Sequence, residues 1–258
     1  MKKHSIIFIC ILIAATIATS LCIRGIIFFF NQNHSETAPA AQNFSDDILA
    51  IDVEIGAADI RIVSGTQFRV ETDNPHITAE EKRGILIIQE RPHIDDLESN
   101  TLTLYIPQQT LLEDVEITTG AGKLEIEELI CRELDLELGA GRAEIHSLTA
   151  QRSADIEGGS GEILIHDSSL HNLDFHMGVG RAEIFSALTG NTEISAGIGQ
   201  LALTIPAKPE DYTIFTKSGI GKIEVDGTHI VGLHTLGSGP NRIDLEGGIG
   251  KVSVYFEP

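Results

Sequence analysis

Two histidines, His146 and His166, stand at the same offset in successive segments of a repeating chain, with Asp167, His171 and His176 close by in sequence. Two imidazoles and a carboxylate make a ligand set suited to a transition metal. No compact motif such as His-Glu-x-x-His accompanies them, and Phe185 takes the next place in the series, so no metal site is assigned. Glu125, Glu144 and Glu183 could supply the carboxylates of a glycan-cleaving enzyme. They alternate with Lys123, Arg142 and Arg181, the arrangement of a solvated salt-bridge ladder rather than of a cleft. Cys131 has no identifiable base and reads as a buried, inert thiol. The expectation is a protein that is not an enzyme, with no catalytic residue, no cofactor and no metal.

The segments that place these residues are marked by a recurring Gly-x-Gly. It occurs at Gly120-Ala121-Gly122, Gly139-Ala140-Gly141, Gly159-Ser160-Gly161, Gly178-Val179-Gly180 and Gly197-Ile198-Gly199, with starts 19, 20, 19 and 19 residues apart. Further copies are Gly219-Ile220-Gly221, Gly237-Ser238-Gly239 and Gly248-Ile249-Gly250. A fixed period in this range signals stacked repeats. The glycines are not phosphate loops, because no GxGxxG and no following Lys-Ser/Thr occurs. They are not calcium-binding nonapeptides either, since the period is too long and the Asp of that motif is absent.

Ahead of each glycine pair, apolar residues alternate with polar ones, as in Val115/Ile117/Thr119 and Leu134/Leu136/Leu138. Beyond it the alternation resumes one residue out of phase, as in Leu124/Ile126 and Ala143/Ile145. Such a slip would turn every side chain to the wrong face unless the backbone bends there. Glycine permits the bend because it tolerates positive φ. Each Gly-x-Gly is therefore a corner between two strands of one coil, with its middle residue expected to pack into the corner. The predicted fold is all-β: a single-domain β-solenoid over 48–258, with 48–112 as an irregular first layer or cap and 113–258 as the repeats. Gly56-Ala57-Ala58 reads as a degenerate first corner, and 67–71, 84–90 and 101–106 as further strands.

Residues 6–23 are 18 nearly continuous apolar residues behind Lys2 and Lys3, and Ile26–Phe30 extend the run. As a helix, 6–30 would cross a bilayer and leave residues 1–5 in the cytoplasm and the remainder outside. Cleavage near Ala18-Thr19-Ser20 is the competing reading. Residues 31–47 read as a flexible polar tether. The chain carries a formal net charge of −20, and beyond residue 30 the balance is 15 − 38 = −23. Such a surface repels nucleic acid and anionic lipid headgroups.

The stretches VEITTGAGKLEIEEL and YTIFTKSGIGKIEVDG resemble the bacterial putative-adhesin family, a domain of unknown function with β-strand Gly-x-Gly repeats, here in a membrane-anchored form. The resemblance spans roughly 48–258 and brings no catalytic residues with it. It implies an adhesin-like binding or scaffold protein of the bacterial cell envelope, single-pass, with an envelope protein or a glycan as partner. The alternative it implies is a regulatory or sensory accessory of an envelope-stress system. A glycan-active enzyme on a solenoid is the outsider.

Overall fold

The computed structural model describes residues 41–91 and 100–257. The apolar run at 6–30 and most of the expected tether lie outside them. No helix among the described residues is long and apolar enough to cross a membrane. The described part of the expected tether is not loose throughout. Ala41–Asn43 is a strand, paired antiparallel with Arg69–Thr72, so the ordered fold starts earlier than 48.

The repeats are coils of parallel sheet stacked in register. Leu111–Ile126 lies on Leu129–Ile145, which lies on Leu148–His171, which lies on Leu173–Thr189. Asn191–Ser195 and Ile198–Ile205 form the next coil. Inward residues before and after each corner, such as Val115, Ile117, Leu124 and Ile126, are buried in one continuous core. Fully burying an aliphatic side chain is worth about 1.5–3 kcal/mol. A single coil has only one such face, so its neighbours must complete the core.

Two different constraints select the corner glycines. At six corners the second of the pair takes positive φ, for instance +144° at Gly141 and +142° at Gly180; Gly221 in the outermost coil does not. The first does not, and is fixed by space: a Cβ on Gly139 would lie 2.0 Å from the Gly120 carbonyl oxygen in the coil below. The middle residue does not pack into the corner as expected. Val179, Ile198 and Ile249 are exposed on the outside of the bend, because the inside is filled by the stacked glycine backbones.

Another bend, between Leu148–His171 and Leu173–Thr189, is held by asparagine. Asn172, at φ +50°, donates from Nδ2 to the Arg152 carbonyl at 3.1 Å and accepts at Oδ1 from the Asn191 N–H at 3.0 Å. Asn241 repeats the device, accepting from the Gly190 N–H at 3.1 Å and donating to the Asp211 carbonyl at 3.3 Å. These side chains stitch successive coils together where no regular ladder can.

Spatial order departs from chain order at both ends. The coil made of Ala50–Ala57 and Asp59–Gly65 sits between Leu111–Ile126 and an outer coil of Ile85–Glu90 and Thr101–Pro107. The expected irregular first layer thus contains two regular coils, and Gly56-Ala57-Ala58 is a true corner, with Ala57 beside Ala121. At the far end, Asn241–Glu246 and Ile249–Phe256 insert between the 191–205 coil and an outermost coil of Tyr212–Lys217 and Lys222–Val225. The final strand is therefore interior to the stack. Gly237-Ser238-Gly239 is no corner either; Gly237 packs against the Tyr212 carbonyl and leads out of an antiparallel edge strand, Leu233–Gly237.

Candidate interaction faces

The strand that follows each corner carries the ladder expected from sequence. Lys123 pairs with Glu125 at 2.8 Å, and Arg142 pairs with Glu144 at 3.2 Å and with Glu162 of the next coil at 2.8 Å. Arg181 pairs with Glu183, and Lys251 with Glu224 at 2.7 Å. The Lys123 ammonium, hydrogen bonded to Glu125, holds that carboxyl below its ordinary range, and Lys251 does the same for Glu224. Each carboxylate in the ladder has a cation beside it. A set of exposed pairs like this contributes little stability per pair.

The strand that precedes each corner is different. Four residues ahead of the first glycine stand Asp52, Glu116, Asp135, Asp155, Asp174, Glu193 and Asp244, one per coil. Each is the direct lateral neighbour of the next, through seven coils. Adjacent strands are about 4.8 Å apart. At that spacing two like charges repel by about 0.9 kcal/mol even at the permittivity of water. Two positions further on, Glu137 and Glu157 lie side by side, with His176 next to them. No Lys or Arg occupies either place in these seven coils, and cations reach them only from beside, as where Arg242 pairs with Asp244 at 2.8 Å and Lys217 pairs with Glu246.

The crowding shows in the protonation equilibria. Although its side chain reaches solvent, partial desolvation between the neighbouring strands, reinforced by Asp155, Glu116, Glu137 and Glu157, raises Asp135 to about 6. Burial, with Asp174 and Glu157, raises Asp155 as well. Asp114, on the same strand set, is raised by burial and by Glu133. This column was missed from sequence, although aligning every repeat on its first glycine displays it directly.

His146 and His166 do come together, with ring centroids 6.0 Å apart and planes 23° from parallel. Asp167, His171 and His176 do not join them. His171 Nδ1 lies 2.9 Å from the Thr189 hydroxyl, and His176 Nε2 lies 3.0 Å from Asp174 Oδ1. Among the described residues no three His, Cys, Asp or Glu side chains converge as a metal-ligand group. Cys131 is fully buried, and burial followed by the charge of Asp114 pushes its thiol up to about 12.

The family model described as Toastrack DUF4097 matches residues 65–235. The chain belongs to this family. The Toastrack match takes in the central coils and part of each swapped end. No curated protein matches the chain. A solved structure described as a putative cell adhesion protein from Clostridium sporogenes ATCC 15579 is 13% identical, with a TM-score of 0.38, covering 84% of this chain and 97% of that one. Another, described as a putative adhesin from Bacteroides fragilis NCTC 9343, is 13% identical with a TM-score of 0.40, covering 83% and 95%. At such scores the likeness carries no argument about this chain.

Proposed function

We propose that this protein is a non-enzymatic binding module, anchored by residues 6–30 and displayed outside the cytoplasmic membrane, whose acidic face holds a cationic partner. The supporting observation is the middle of the in-register column, where Asp135, Asp155 and Asp174 lie side by side as like charges that a basic partner surface relieves. A solenoid presents such a row on rigid backbone, so the partner meets carboxylates at a fixed spacing. The salt-bridge face cannot serve equally, because its carboxylates already have cations beside them. The anchor rests on the apolar run and on Lys2 and Lys3 before it, which orient a span with its start inside.

A fluorescently labelled octalysine peptide, followed by anisotropy against the full chain, tests the reading. Binding should weaken steeply as salt rises. It should fall several-fold in an Asp135→Asn/Asp155→Asn chain and stay closer to the original in Glu125→Gln/Glu144→Gln, which loses the same formal charge. Equal losses in the two variants would mean that net charge alone attracts the peptide, and the face would have no special part.

A further inference from the structure

The two ends of the stack are finished differently. At one end the outer strand Ile77–Lys82 carries Glu80, Glu81 and Lys82, and Ala41–Asn43 covers Arg69–Thr72. Charges and covering strands on an edge discourage pairing with another chain. At the other end Thr228–Ile230 and Leu233–Gly237 each pair on one side only, among the described residues. The stretch 227–240 that holds both strands has no Asp, Glu, Lys or Arg, in a chain of net charge −20. Ile220, Val231 and Leu233 stand out from this end at 85%, 69% and 80% exposure. Hydrogen bonds between Ser218 and Gly232, of 3.2 and 2.7 Å, and the pairing of Lys217 with Leu233 gather them into one patch.

We infer that this end is a self-association surface, where Leu233–Gly237 pairs antiparallel with the same strand of a second copy across a two-fold axis. A strand edge is self-complementary in that geometry, and a two-fold contact closes without growing into a filament. Charge selects the occupant. A basic partner gains more on the carboxylate column, whereas a second, equally acidic copy can approach only where neither molecule carries charge. The uncharged stretch 227–240 meets that condition, bordered by Lys217 in register with Leu233 and by Glu224 in register with His229.

Sedimentation of the full chain in mild detergent, over a range of concentrations, should show a dimer that Leu233→Lys abolishes. Leu49→Lys, an exposed leucine at the opposite end of the stack, should leave the dimer intact. Both substituted positions are exposed, and circular dichroism melts check that each variant folds. Thr235→Cys provides a second measurement, because the two-fold axis brings the centre of the strand near its counterpart. Mild oxidation should then give a covalent dimer well above the level of the unsubstituted chain. A monomer at every concentration overturns the inference and leaves this end to some other partner. So does a dimer that survives Leu233→Lys, or a Thr235→Cys chain that gains no cross-link.

Discussion

A methyl group added to Gly139 has nowhere to go, since the Gly120 carbonyl oxygen would lie 2.0 Å from it. Gly139→Ala should therefore destabilise by about 2–4 kcal/mol in denaturant unfolding, within the range of severe single substitutions. Gly141→Ala should cost a similar amount for two reasons at once, positive φ and a carbonyl oxygen at 1.9 Å. Glu144→Gln should stay within about 1 kcal/mol, as loss of an exposed pair does. If the first glycine of the pair tolerates alanine, the close stacking of coils at the corner is wrong. Cys131 makes a different prediction. Its buried, raised thiol should resist iodoacetamide in the folded chain and react once the chain is unfolded, as mapped by mass spectrometry. Labelling of Cys131 at the rate of a free thiol under native conditions would place it on the surface.

At the level of the strand, the acidic column makes stability depend on pH in an unusual sense. Asp135 is raised from 3.8 to about 6, so its contribution is fully present below 3.8 and is lost as pH rises through about 6. Asp155 and Asp114 act in the same sense. Glu125 and Glu224 are lowered, so theirs is present above the ordinary glutamate range and lost as pH falls below it. The melting temperature should peak near pH 4.5 and fall from there to about 6, and Asp135→Asn should raise it at pH 7.5 while flattening the fall between about 4.5 and 6. The corner asparagine is a second test at this scale: Asn172→Ala leaves the Asn191 N–H without its acceptor and should cost about 1–3 kcal/mol in denaturant unfolding. Strands and corners were legible in sequence because alternation and glycine spacing repeat locally. The asparagine bend was not, since Asn172 and Asn241 lack a fixed period. Nor were the hairpins at Arg83-Gly84 and Asp226-Gly227, although Asp-Gly is a strong two-residue turn signal.

Over the whole molecule, the swapped coils break the sequence order of the repeats after Thr204. The neighbour of Thr204 is Tyr255, not Asp226, because a segment 51 residues further along the chain lies between (255 − 204). Long-range insertion leaves no trace in a local repeat, and only the hydrogen-bonded register reveals it. The proposed topology is checked by adding protease to intact protoplasts, which should remove the coils from the cell surface. Coils that stay protected would place them inside. Seven coils stack in register and crowd their carboxylates into one column. A carbon-detected NMR titration of the aspartate side chains measures that crowding directly. Asp135 should titrate with a midpoint of about 6, falling toward the ordinary range when Asp155 is changed to Asn. A midpoint near 3.8 in the unaltered chain, unmoved by Asp155→Asn, would contradict the column and the stacking that builds it.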